Sequence, residues 1–103
     1  MKDQRKNQRF DLRLPFELVR NGAQSVDVAG ETRNLSSSGV LFTADAEIQV
    51  GQPIEFLITL PTGATGQNVR LRCVGKVVRR DNGQTQSMAA TVERFEFVRS
   101  KVS

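Results

Sequence analysis

The 103-residue sequence has no histidine, tryptophan or tyrosine, and only one cysteine. With no imidazole and a single thiol, a zinc or haem site lacks its usual ligands, and no Ser-His or Cys-His catalytic pair can form. Eleven acidic residues remain, but they are scattered and no two stand out as an acid–base pair, so an enzyme is the least favoured reading. Cys73 cannot close an internal disulfide, which fits a reducing cytoplasm. Apolar runs last only a few residues, so none spans a bilayer. The basic, polar N-terminus has no hydrophobic stretch behind it, which argues against a signal peptide. The missing Trp and Tyr also count against an oligonucleotide-binding barrel, which stacks bases on surface aromatics. The six Phe fall nearly all in core phase.

What is present is ordinary globular composition: 38% hydrophobic and 25% charged residues, enough for one domain with a modest core. Charge is uneven. The first 20 residues carry a net +3, residues 21–69 a net −4 and residues 70–103 a net +5, for +4 overall. Should the two ends meet in space, they would form a basic face suited to phosphate.

Residues 1–9 show no apolar residue after Met1 and no periodicity, so they read as a flexible basic arm, with a domain over 10–103. From Phe10 the pattern alternates: Phe10, Leu12, Leu14, Phe16 and Leu18 share one face, as in a half-buried strand. Pro15 lies on the outward phase and predicts an edge position or a neighbouring bulge. Asn21-Gly22 predicts a hairpin. Further strands are expected over roughly Ser25–Leu35, with a bulge or break at Ala29-Gly30, then Val40–Ala44, Ile54–Leu60 and Val69–Val78. A hairpin turn is expected over Arg79–Gly83. The last strand, roughly Ser87–Val98, changes phase between Met88/Ala90/Val92 and Phe95/Phe97, which predicts a bulge near Glu93-Arg94. Cys73 falls on the core phase. Gly39 follows three serines and is free to take a positive φ. Six strands without helical periodicity predict an all-β, six-stranded antiparallel barrel, since closure hides the edges. The tail Arg99–Ser103 is too short for a stable helix.

Two polar stretches carry the functional signal. Arg5 and Arg9 stand four apart on the arm, and Asn34, Ser36 and Gly39 punctuate a turn. Arg-x-x-x-Arg followed by Asn-x-Ser-x-x-Gly resembles the PilZ domain, the bacterial receptor module for cyclic di-GMP. The strand beginning after Arg9, Gly39-Val40-Leu41-Phe42, Gly51-x-Pro53 and Gly75-Lys76-Val77-Val78-Arg79-Arg80 extend the resemblance along nearly the whole chain. The resemblance implies a split barrel and a non-enzymatic receptor with cyclic di-GMP as ligand and no cofactor. It also implies that Arg5, Arg9, Asn34, Ser36 and Gly39 contact the ligand. Gln4 occupies the position that in the family bears on whether one or two ligands bind. Arg13, Arg79 and Arg80 are secondary candidates, read more readily as solvated surface.

The residue types suit that ligand. The O6/N7 edge of guanine matches a guanidinium fork bidentately, and the phosphates take the remaining donors. Asn34 offers both an amide oxygen and an amide N–H2. The expected function is a cytoplasmic receptor whose arm closes on the ligand and thereby alters the surface offered to a protein partner. The alternatives are an adaptor of the same fold working through protein contact alone and, less favoured, an oligonucleotide-binding barrel.

Overall fold

The computed structural model describes residues 13–60, 69–82 and 86–99. They form seven strands: β1 (Pro15–Asn21), β2 (Gln24–Leu35), β3 (Gly39–Ala44), β4 (Pro53–Leu60), β5 (Val69–Asn82), β6 (Gln86–Thr91) and β7 (Arg94–Arg99). The sheet order is β4-β1-β2-β3-β6-β5-β7, and β4 also pairs with β5. That extra pairing closes a ring of six antiparallel strands and leaves β7 outside it. The expected six-stranded barrel is present, with one strand added.

The alternation in the sequence becomes the barrel interior. Leu14, Phe16, Leu18, Val40, Phe42, Ala44, Ile54, Phe56, Ile58, Cys73, Val77, Met88 and Ala90 are all buried. Phe16 lies between Phe42 and Phe56, with ring centroids 4.3 and 5.1 Å away. Ile48, from the loop between β3 and β4, is fully buried and joins this core. Each of the Val, Leu, Ile, Phe and Met side chains among them contributes about 1.5–3 kcal/mol through removal from water. Cys73 takes part as a small apolar residue, and burial pushes its thiol up to about 12, which leaves it a poor nucleophile.

Several local expectations are corrected. The first described strand begins at Pro15, with Arg13 and Leu14 outside it, and Phe10 to Leu12 of the expected strand lie outside the described residues. Of the two alternatives for Pro15 the edge is not found, because β1 lies between β2 and β4, but β1 does carry a bulge, its register shifting between Leu18 and Arg20 against both neighbours. Proline is accommodated because it heads the strand, one residue before pairing with β4 starts at Phe16. No break occurs at Ala29-Gly30. The register of β2 against β3 shifts instead between Thr32 and Asn34. The Asn21-Gly22 hairpin forms as expected, with Gly22 at φ 64° and Asn21 opposite Gln24.

At the C-terminal side β5 continues to Asn82, so Arg79 and Arg80 belong to a strand and not to a turn. The last segment is two strands rather than one bulged strand. β6 pairs with the second half of β5 and β7 with the first half. The chain crosses over at Gly75. There, Glu93 N–H donates to Val74 O at 2.8 Å and Lys76 N–H donates to Thr91 Oγ1 at 3.1 Å. Phe95 and Phe97, expected in the core, are 54% and 66% exposed because β7 lies outside the ring.

Thr32 is the one buried polar side chain among the described residues. Its Oγ1 accepts from Leu14 N–H at 2.9 Å, and its own N–H donates to Leu14 O at 2.9 Å. The segment entering the barrel is thus tied to β2 two residues before Asn34. Thr32→Val keeps the shape but leaves the Leu14 N–H without its acceptor. A loss of about 1–3 kcal/mol is expected in urea denaturation, and an unchanged midpoint would remove this bond from the account.

On the outer face, Glu55 is 13% exposed and joins Arg20 at 3.4 Å and Arg72, which also lies 3.6 Å from Glu96. Elsewhere Glu17 has its carboxyl raised above the ordinary 4.5. The causes are, first, a hydrogen bond with Asp27, then burial and the Asp27 charge, with Arg70 opposing them. A raised acid binds its proton more tightly when folded, so this group favours the fold at low pH and the benefit is lost as pH rises through the folded value. Asp27→Asn is therefore expected to raise the melting temperature slightly at pH 7, by no more than the ~0.5 kcal/mol of a surface pair. The gain should vanish below about pH 4. Melts at both pH values test the sign.

Candidate functional site

Strand register explains how the site residues come together. Asn34 is opposite Leu41, Leu41 opposite Ala89, and Ala89 opposite Arg79. These four residues form a straight cross-strand row on the outer wall over β2, β3, β6 and β5. With strands about 4.8 Å apart, the backbones of Asn34 and Arg79 stand roughly 14 Å from each other. Two register shifts place the polar ends of this row. The shift between Thr32 and Asn34 turns Asn34 outward after the inward-facing Thr32, and the shift between Val77 and Arg79 leaves Val78 and Arg79 both outward after the buried Val77. Bulges re-aim side chains in this manner.

The row floors a shallow depression of about 270 Å3, which Asn34, Ser36, Gly39, Leu41, Val78 and Arg79 help to line. The Asn34 amide makes no hydrogen bond among the described residues, so its donors and acceptor face the depression unengaged. Arg79 has only a surface ion pair, its Nε lying 3.8 Å from Asp81 Oδ1, with side chains 63% and 52% exposed. Such a pair is worth little and leaves the guanidinium available.

Ser36 is engaged differently. Its Oγ accepts from Gly39 N–H at 3.2 Å and Ser38 N–H at 3.4 Å and donates to Gly39 O at 3.3 Å, while its own N–H donates to Gly39 O at 2.9 Å. The hydroxyl therefore holds the turn that displays Asn34 and Gly39. Gly39 does not use its freedom to take a positive φ, which among the described residues is confined to Gly22 and Gly51. A Cβ at Gly39 would instead lie 3.2 Å from Ala90 O, so a tight approach to β6 is what favours glycine there.

Of the other sequence candidates, Arg5, Arg9 and Gln4 lie outside the described residues. Arg13 is exposed just before Leu14, at the base of the arm. Arg80 pairs with the buried Met88 on the inward phase and does not line the depression. Arg79 is the residue that strand alternation placed too loosely. Its signal was the broken alternation of Val77-Val78-Arg79-Arg80. A second depression, about 380 Å3, lies at Arg72, Val74, Arg94, Phe95 and Glu96, but Arg72 there is already bound to Glu55 and Glu96. Among the described residues no group of three or more His, Cys, Asp or Glu is placed to hold a metal ion, and no helix is long and apolar enough to cross a membrane.

The small closed barrel thus carries an amide and a guanidinium at the two ends of one shallow depression on its outer wall. The PilZ domain family model matches residues 3–101, and the chain belongs to that family. Among solved structures it is similar to the Bacillus subtilis Inhibitor of motility (MotI/DgrA), with a TM-score of 0.72 and 19% identity. The likeness covers 92% of this chain and 44% of that one, so this chain spans less than half the length of the protein it matches. At that identity the similarity speaks to the fold. No functionally curated protein matches the sequence.

Proposed function

We propose that this domain is a cyclic di-GMP receptor that works by changing the surface it offers to a protein partner. The observation that carries the reading is the outer-wall row from Asn34 to Arg79, which puts an unengaged amide and a guanidinium on one wall, the amide two residues from the Thr32 that binds Leu14. Guanine presents paired acceptors at O6 and N7, which a guanidinium matches, and N–H donors that the Asn34 oxygen can accept. Leu41 and Ala89 between them form a low apolar floor against which a flat base lies. Arg5 and Arg9 supply the clamp from the solvent side, one at a base edge and one at phosphate. Ser36 keeps the turn in shape, and Gly39 keeps the wall low beside it.

Closure of the arm converts ligand binding into a different surface near the Leu14–Thr32 tie, which is how a partner would sense it. A cytoplasmic setting suits the unpaired, buried Cys73. The ligand-independent adaptor gains nothing specific from the site. The oligonucleotide reading is not rescued by the exposed Phe95 and Phe97, since their strand partners Cys73 and Leu71 lie at least six residues along β5 from Arg79, roughly 20 Å or more. Titration calorimetry with cyclic di-GMP, GTP and a single-stranded oligonucleotide tests the proposal. Saturable heat with cyclic di-GMP alone is expected. Its absence at low salt would hand the case to the adaptor, and heat with the oligonucleotide alone to the nucleic-acid reading.

A further inference from the structure

Among the described strands β7 alone has a single strand partner, because the other six close on one another and β7 pairs only with β5. An exposed edge strand presents a row of unpaired backbone donors and acceptors and is commonly blunted or covered. Here it also carries Phe95 and Phe97, 54% and 66% exposed and touching edge to face with centroids 6.3 Å apart. The composition of the strand points to what covers it.

We infer that β7 pairs antiparallel with β7 of a second copy about a twofold axis at Glu96, extending the sheet across the dimer. A twofold axis perpendicular to the sheet keeps each face continuous, so only registers that oppose residues of the same phase are allowed. An axis at Phe95 would use only Arg94 to Glu96 within the strands and set Phe97 against Glu93. An axis at Phe97 would oppose Phe95 to Arg99. With the axis at Glu96, Arg94 to Val98 all pair, and each Phe95 faces Phe97 of the other copy in two direct cross-strand aromatic contacts.

Charge supports the same register. The axis brings the two Glu96 carboxylates together, which alone would oppose pairing. Each, however, already has Arg72 of its own chain at 3.6 Å, and in this register Arg94 of the other copy comes to the diagonal position within reach. Two carboxylates thus sit among four guanidiniums, and Arg94 has no ion pair of its own among the described residues. The four rings bring roughly 500 Å2 of exposed apolar surface, and the paired strands add the rest of a small interface, near the lower limit for specific association. The expected dimer is therefore weak and concentration-dependent.

Light scattering of the full chain across roughly 10 to 500 µM, a range spanning weak association, is the test. The mass is expected to rise toward twice that of the monomer. Phe97→Lys and Glu96→Arg, the latter leaving six guanidiniums with only the two Glu55 carboxylates beside Arg72, should each hold the protein at monomer mass with the circular dichroism spectrum and melting temperature unchanged. Glu96→Cys should yield a disulfide-linked dimer under mild oxidation, since position 96 faces itself across the axis and the buried Cys73 stays silent. A wild type that remains monomeric throughout overturns the inference. So does a dimer whose mass is indifferent to Phe97→Lys, which would locate the contact elsewhere.

Discussion

Gly75→Ala is expected to cost about 3 kcal/mol or more, at the upper end of what overpacking does, and to lower the melting temperature by about 15 °C. A Cβ built on Gly75 lies 1.7 Å from Thr91 O, 2.7 Å from Thr91 C and 3.1 Å from Thr91 Oγ1. The obstacle is backbone, so no rotamer change relieves it. Thr91 is itself fixed on several sides. Its Oγ1 accepts from Lys76 N–H, the next residue donates to Ser38 O at 2.9 Å, and Glu93 donates to Val74 O. Pushing Thr91 away breaks the crossover at which β6 leaves β5 and β7 begins. Thr91 also faces Gly39 across β3 and β6, so the same displacement distorts one wall of the depression lined by Asn34 and Gly39. Gly39→Ala is the calibrating comparison, since its Cβ would meet only Ala90 O at 3.2 Å, which a small shift accommodates. Urea denaturation should rank Gly75→Ala well below Gly39→Ala. If Gly75→Ala unfolds within 1 kcal/mol of wild type, measured against the 1–3 kcal/mol usual for overpacking, the crossover geometry described here is wrong.

The same crossover explains where the sequence could and could not be read. Alternation identified the interior from Leu14 to Ala90 because a barrel wall faces solvent on one side only, so inward positions are mostly apolar, Thr32 being the buried polar exception among the described residues. It misplaced Phe95 and Phe97 because hydrophobicity reports that a side chain wants cover, not whether its strand lies inside the ring. It saw six strands because a continuous run from Ser87 to Val98 carries no glycine or proline at the point where the chain parts from β3. The bulge at Arg33 was equally silent, being set by how neighbouring strands register and not by the residues themselves, and that at Val78 showed only as the broken alternation of Val77-Val78-Arg79-Arg80. Asn34, Ser36 and Gly39 were legible because they lie within one turn whose hydrogen bonds are local. Arg79 was legible only as a secondary candidate beside Arg13 and Arg80, since its row to Asn34 runs across two intervening strands. Pro15 marked the head of a strand, where its missing N–H costs nothing, and an edge was the wrong extension of the same fact.

The register also ranks the arginines, and this gives the largest effect expected on ligand binding. Arg9→Ala should weaken cyclic di-GMP binding at least 100-fold. A guanidinium that donates twice to a guanine edge or a phosphate makes two charge-assisted bonds of about 1.5–3 kcal/mol each, and 1.4 kcal/mol is tenfold in affinity. Arg5→Ala should fall in the same range if both arms of the clamp engage. Arg9→Lys separates fork from charge. A lysine keeps the attraction to phosphate but offers no planar pair of donors, so most of the loss should persist, and full recovery would mean that the arm acts by charge alone. Arg79→Ala should cost about tenfold, as one contact reaching in from the far end of the row and open to solvent. Arg80→Ala, one residue further but opposite the buried Met88, should bind like wild type. Calorimetry at two salt concentrations completes the test, because variants that remove a phosphate contact lose salt dependence along with affinity. Equal effects of Arg79→Ala and Arg80→Ala would separate the outer-wall row from the ligand and leave the arm and the Asn34 turn to account for binding by themselves.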